Sequence, residues 1–377
     1  MPGKPWITAN QVTLARLIPM PILSWLIYRG AESGGFHNNP YMWWALIAGT
    51  LIGCTDWVDG MLARKYGPTV LGGLLDPIAD KVFIAFAYIP FADNNPPNIH
   101  LIPAWVAALM FTREFFITSL RSAYEQRNLT LKTSYLAKVK TWTQMQGIGV
   151  ILLFPLVGRS TGLTLFLIIS TATPLVVMAA FWIFKKKFWR GALVMSGSVA
   201  PILLVYLYDE VLAVRWIMFA VVGLTWLSAF DYIAIGWKQL RGRGDFSRAD
   251  GVRLIGALAM PGLLFACLVE TPAPAWPIFG IMSLELAVGG LDNLMSHHKR
   301  ATKALAWGSR VLGICALLGA ALLLPEQAEW FLYGATAVSL VGVAAEFWRG
   351  RDYFLDKRIR DRALREAAVH QPESQLT

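Results

Sequence analysis

The chain has 377 residues, 56% of them hydrophobic and only 15% charged, with 16 tryptophans and a mean hydropathy of +0.49. A soluble globular domain carries roughly 25% charged residues, so this composition excludes that class and points to an integral membrane protein. The formal net charge of +10 does not call for a nucleic-acid partner, because the basic residues are spread over six loops and form no stacking platform.

From the N-terminus, MPGKPWITANQ leads directly into the first apolar run without a small-residue cleavage site, so no cleavable signal peptide is expected. Apolar runs follow near 12–28, 41–62, 73–92, 101–121, 141–158, 162–184, 193–208, 215–237, 252–269, 278–296, 304–324 and 329–348. Each is close to the roughly 20 residues that a spanning helix needs, which predicts an all-α polytopic protein with about 12 transmembrane helices. Alternate loops hold nearly all the Lys and Arg: Arg64 and Lys65, then Arg121 to Lys140, Lys185 to Arg190, Lys238 to Arg248, Lys299 to Lys303, and Arg349 to Arg365. The intervening loops read like DNNPPNIH and VETPAPAWP. The positive-inside rule then puts both termini in the cytoplasm. Cys54, Cys267 and Cys315 all fall in apolar runs and form neither a disulfide framework nor a zinc site of usual spacing.

Residues 56–80, DWVDGMLARKYGPTVLGGLLDPIAD, place four aspartates in this apolar background. A carboxylate at the bilayer centre costs roughly 2.5–3.5 kcal/mol on insertion scales, so four of them need a compensating charge. Divalent cations are the natural candidates. Asp56, Asp59, Gly60, Ala63 and Arg64 share one helix face, and Gly72, Asp76 and Asp80 share another. Two such helices facing each other would surround one small volume with carboxylates. The small residues leave room for a ligand, and Arg64 is placed to meet an anionic one.

These residues resemble the signature of the CDP-alcohol phosphotransferases, D-x2-D-G-x2-A-R followed by G-x3-D-x3-D. Every fixed position is present, with a seven-residue spacer between Arg64 and Gly72 where many members have eight. The resemblance covers about residues 5–185. It implies a six-helix catalytic membrane domain and two divalent cations, Mg2+ or Mn2+, held mainly by Asp56, Asp59 and Asp76 with Asp80. It also implies Asp80 as general base, and Gly60, Ala63, Arg64 and Gly72 facing the nucleotide of a CDP-lipid. The segment NQVTLAR, with Asn10, Thr13 and Arg16, is similar to the family's N-x2-T-x2-R motif, which borders the nucleotide site. TREFFITSLR at 112–121 and LAKVKTWTQ at 136–144 are similar to the branch that joins CDP-diacylglycerol to glycerol 3-phosphate. A phosphorylated acceptor needs cations near the site, and Arg113, Arg121, Lys138 and Lys140 lie on the cytoplasmic side of the first half. The same chemistry could take inositol phosphate, serine, choline or phosphatidylglycerol as acceptor. A transporter or lipid scaffold is the reading from another class. The same distribution of Lys and Arg puts the aspartate site on the cytoplasmic side, and a bacterial inner membrane is the expected location.

The second half reads as an eroded copy of the first. TLARLIPMPILSW at 13–25 is similar to DGVRLIGALAMPGLLF at 250–265, which pairs Arg16 with Arg253. A shift of 236 positions carries Asp56 onto Asp292, Arg64 onto Arg300 and Gly72 onto Gly308. Asp59, Asp76 and Asp80 fall on Met295, Leu312 and Ala316, so no two-metal cluster is expected there. The organisation expected is a catalytic domain at 1–190, two connecting helices at 191–245, a degenerate repeat at 246–350 and a basic cytoplasmic tail at 351–377. The protein would be a homodimer, or a monomer whose second half replaces the partner. His297 and His298 read as a polar helix end, and the tail carries no catalytic motif.

Overall fold

The computed structural model describes residues 8–67, 70–94, 101–127, 135–186, 188–243, 248–297 and 304–355. Among these the chain is helical, with no strand. The helices of the first half are α1 (Ala9–Leu17), α2 (Pro19–Glu32), α3 (Pro40–Tyr66), α4 (Val70–Ala92), α5 (Ala104–Glu125), α6 (Tyr135–Val157) and α7 (Thr161–Lys185). Those of the second are α8 (Arg190–Tyr208), α9 (Glu210–Arg243), α10 (Arg248–Glu270), α11 (Trp276–His297), α12 (Ala304–Leu323) and α13 (Ala328–Leu355).

Local sequence explains where the first helices start and stop. Thr8 and Gln11 form a capping box at the start of α1. Pro19, which has no N–H, divides α1 from α2, yet the two form one 24-residue apolar span. Asn39 caps α3 by accepting from the Tyr41 N–H. Gly67, at φ 94°, ends α3 in a conformation that disfavours any residue with a Cβ.

Among the described residues, eight helical segments are long and apolar enough to cross a membrane. Helices α6 and α12 contain shorter apolar stretches, Thr143–Val157 and Trp307–Leu323. Helices α4 and α5, of 23 and 22 residues, carry Asp76, Asp80 and Lys81, and Arg113, Glu114 and Arg121. These charges keep them out of the strongly apolar set. Each of the roughly 12 runs in the sequence therefore has its helix, and the conspicuous polar residues of the first half lie on α3, α4 and α5.

The halves interlock. Helix α1 lies against both α3 and α4, while α10 packs along α5, and α11 packs along α4 and α5. Phe86 of α4 stacks on Phe279 of α11 at 4.9 Å between centroids, and Phe111 of α5 stacks on Phe265 of α10 at 5.8 Å. The Gly289–Gly290 pair lets α11 press in: a Cβ at Gly290 would meet Ile78 at 2.8 Å, and one at Gly289 would meet Thr118 at 3.1 Å. Ile78 lies between Asp76 and Asp80, so the second half braces the helix that carries two of the aspartates.

The segment 191–245 is more than a connector. Helix α9, 34 residues long, runs along α6 and α5 as a full member of the bundle. Packing within the halves also differs: α3 runs along α1 and α2, whereas α11 packs on α13, α4 and α5 and only touches α10.

Candidate active site

Two side chains of α1 bring the four aspartates together. Arg16 is only 3% exposed although it lies on a short helix near the N-terminus. Its Nη1 donates to Asp56 Oδ1 at 2.8 Å and lies 3.2 Å from Asp80 Oδ1, while Nη2 is 4.0 Å from Asp59 Oδ2. One turn earlier, the Thr13 hydroxyl is 2.9 Å from both Asp59 Oδ2 and Asp76 Oδ1, and 3.1 Å from the Ala9 carbonyl. Asp59 is buried, whereas the Asp56 side chain is 46% exposed and that of Asp80 27%. The carboxylates therefore run from the protein interior to an open edge.

This arrangement is electrostatically incomplete. With all four carboxylates ionised, one guanidinium leaves an excess of negative charge. The single hydroxyl hydrogen of Thr13 serves only one of its three neighbouring oxygens at a time. Among the described residues, buried Asp80 Oδ1 accepts no hydrogen bond, and Arg16 Nε and Nη2 have no acceptor. Leaving such groups unsatisfied in a buried site is costly. A set of carboxylate oxygens short of positive charge fits hard divalent cations. In the present arrangement the carboxylates are spread around Arg16, and among the described residues no three His, Cys, Asp or Glu side chains are gathered tightly enough to ligate one ion.

The remaining motif residues lie around this centre. Gly60 and Ala63 are half-buried on α3. Arg64 is exposed and folds back along the helix, so that a Cβ on Gly60 would stand 3.5 Å from its Nη1. Gly72 is buried near the start of α4, and Asn10 is half-buried on α1.

A second polar cluster begins at the next residue of α4. Lys81 Nζ donates to Thr118 Oγ1 at 2.7 Å and is 3.9 Å from Glu114 Oε2. Lys140 of α6 donates to Glu114 Oε1 at 2.5 Å, and Arg113 Nη1 is 3.3 Å from the same oxygen. Arg121 is half-buried and within electrostatic range of Lys81 and Lys140. Glu114 is thus a buried carboxylate ringed by cations, leaving the cluster positive overall.

Of the expected acceptor ligands, Lys140 and Arg121 belong to this cluster. Arg113 turns most of its guanidinium elsewhere: Nε donates to the Thr225 carbonyl at 3.1 Å and Nη2 to Ser228 Oγ at 2.7 Å, tying α5 to α9. The side chain of Lys138 falls outside the described residues, as do the side chain of His297, residues 298–303 with His298 and Arg300, and the tail from 356 onward. Lys81, Glu114 and Thr118 were not picked out by sequence reasoning. The available signals were the position of Lys81 directly after Asp80 and the adjacency of Arg113 and Glu114.

Residues 6–184 match the model of the CDP-alcohol phosphatidyltransferase family. A probable phosphatidylglycerophosphate synthase of Mycobacterium tuberculosis is 38% identical over 152 residues, which are 40% of this chain and 67% of that protein. A CDP-diacylglycerol--glycerol-3-phosphate 3-phosphatidyltransferase of Bacillus subtilis is 33% identical over 38% of this chain and 75% of its own length. The protein of the same description from Salmonella choleraesuis is 32% identical over 43% and 86%. No solved structure matches. The match takes in α1 to α6 and nearly all of α7, with every aspartate of the cluster and the Lys81–Glu114–Lys140 group, and this integral membrane protein belongs to the CDP-alcohol phosphatidyltransferase family.

Proposed function

We propose that the protein is a phosphatidyltransferase of phospholipid biosynthesis, which moves the phosphatidyl group of CDP-diacylglycerol to glycerol 3-phosphate and releases CMP. The observation that carries the acceptor is the cationic group of Lys81, Lys140 and Arg121 around Glu114, which begins one residue after Asp80. A phosphorylated alcohol held there by its phosphate would have its hydroxyl near the carboxylates.

The family depends on divalent cations, and the aspartate set fits them. Asp56, Asp59 and Asp76, with one oxygen of Asp80, would hold two ions, Mg2+ or Mn2+. When bound, the ions neutralise the diphosphate and the charge that develops on the phosphorus under attack. Asp80 takes the proton of the acceptor hydroxyl. The hydroxyl oxygen forms a bond to the phosphorus that carries diacylglycerol, and the bond from that phosphorus to the CMP oxygen breaks. Arg64, with Gly60, Ala63 and Gly72, borders the nucleotide and its phosphates. Arg16, with Asn10 and Thr13, orders the carboxylates from α1. The acyl chains remain in the bilayer.

The distribution of Lys and Arg supports a cytoplasmic active site and cytoplasmic termini, as in a bacterial inner membrane. The second half is read as a non-catalytic copy, supported by Arg253 and Asp292, which form a fully buried pair where Arg16 pairs with the half-exposed Asp56. Its coverage of α4 and α5 favours a monomer that carries its own pseudo-partner over a homodimer.

The test is CMP release from CDP-diacylglycerol by the purified full chain, with Mg2+ or Mn2+ and a panel of alcohols. Release with glycerol 3-phosphate is expected. Release only with inositol phosphate, serine, choline or phosphatidylglycerol would overturn the acceptor and keep the aspartate chemistry. Absence of release with every alcohol would favour a lipid scaffold.

A further inference from the structure

The second half holds a polar cluster of its own. Arg253 of α10 is 2% exposed and donates from Nη2 to Asp292 of α11 at 3.2 Å. Arg310 of α12 pairs with the buried Glu285 of α11. Both guanidiniums lie over the ring of Trp307, at 4.7 and 5.9 Å from its centroid. Trp307 is itself 8% exposed.

Three buried donors at this corner, Arg253 Nη1, Arg310 Nη2 and Trp307 Nε1, have no acceptor among the described residues. Each carboxylate is already engaged, so what is missing is an acceptor-rich group. Trp307, Arg310 and Ser309 lie at the polar side of a cavity of about 510 Å³ between α12 and α13, together with the buried Glu346, whose charge Arg349 offsets at 3.1 Å; the apolar flank is Val338, Val341 and Ala345. Arg127 at the end of α5 pairs with Asp250 at the start of α10, so this corner lies at the same end of the bundle as Asp76 and Asp80. A cavity with clustered N–H donors at a membrane-facing end and an apolar flank is complementary to an amphiphile.

We propose that this cavity is a binding site for an anionic phospholipid, distinct from the catalytic site, with the lipid phosphate on Trp307 and Arg310 and one acyl chain along α13. Guanidinium and indole N–H groups supply the hydrogen bonds that a phosphate accepts, and basic pockets between helices at a membrane face suit such head groups. Arg253 positions the Trp307 ring from behind.

Native mass spectrometry of the full-length protein in detergent, with CDP-diacylglycerol held at one equivalent to fill the catalytic site, tests this site. The added probes are phosphatidylglycerol, phosphatidylcholine and inorganic phosphate. One phosphatidylglycerol retained at about tenfold lower concentration than phosphatidylcholine is expected. Ala345→Trp, which fills the flank, should weaken that retention about tenfold, and Trp307→Phe, which removes the N–H together with part of the ring, a few-fold. Val341→Trp, at a position 67% exposed, replaces Ala345→Trp if the latter fails to fold. Equal retention of the two lipids, unchanged retention in the filled variant, or displacement of the lipid by inorganic phosphate at its own binding concentration would overturn the proposal.

Discussion

Arg16 and Arg253 occupy similar settings in the two halves, and their surroundings differ in what they leave unbalanced. Each is almost fully buried and each reaches an aspartate on a later helix, at 2.8 Å for Asp56 and 3.1 Å for Asp292. Around Arg16 stand Asp59, Asp76 and Asp80 as well, which leaves an excess of negative charge. Around Arg253 the acid is matched one to one, and the neighbours are Trp307 and a second neutral pair, Arg310 with Glu285. A buried ion pair that is balanced is a structural element of roughly neutral net worth. A buried cluster that is not balanced requires a counter-ion, and that requirement is what makes the first half a candidate for metal chemistry. In the proposed mechanism the arginine–aspartate pair maintains a packing arrangement, while the extra carboxylates carry the reactivity.

Several substitutions would break this contrast if it is wrong. The largest effect is expected at the deep end of the first cluster. Asp59→Asn, or removal of divalent cations with EDTA, should lower CMP release by at least about a thousandfold, because electrostatic stabilisation of a phosphoryl transfer accounts for several kcal/mol. Readdition of Mg2+ or Mn2+ should restore the EDTA-treated enzyme and leave the variant inactive. Next, Lys140→Ala should raise the KM for glycerol 3-phosphate by about ten- to a hundredfold, in line with loss of a charge-assisted contact. The KM for CDP-diacylglycerol should move little, and an equal rise in both would remove Lys140 from the acceptor subsite. Thr13→Val is expected to cost about tenfold in turnover, through loss of the hydroxyl between Asp59 and Asp76.

The smallest catalytic effect is expected in the second half. Asp292→Asn should leave turnover within a few-fold of the parent enzyme. It should nevertheless lower the melting temperature, because breaking a buried pair leaves Arg253 uncompensated, at a cost of about 3–5 kcal/mol. Thermal unfolding and CMP release measured on the same preparation separate the two effects. A large loss of turnover without loss of stability would mean that the second half takes part in catalysis.

Much of this was legible in the sequence because it is periodic. The aspartates repeat at helical spacing, and the apolar runs have the length of a bilayer, so both the carboxylate faces and the helical membrane architecture follow from local pattern. Contacts across the fold were less legible. Arg16 resembled a nucleotide-border residue, yet its guanidinium sits among carboxylates 40 or more positions away, which no local spacing indicates. Arg113 was expected at the acceptor phosphate, but α9 offers it Thr225 and Ser228, and the segment 190–245 resembled nothing that would have announced this. Lys81 was missed because it reads as the residue after a complete motif. Its importance appears only when α5 brings Thr118 and Glu114 beside it.

The most direct test of the central claim, that the unbalanced first-half cluster performs the chemistry, is CMP release by purified Asp80→Asn with CDP-diacylglycerol, glycerol 3-phosphate and Mg2+, alongside CDP-lipid binding by the same variant. The expected result is near-complete loss of turnover with CDP-lipid binding largely retained. Turnover at the parent rate would contradict the assignment of Asp80 as the base, and with it the account of how this site works.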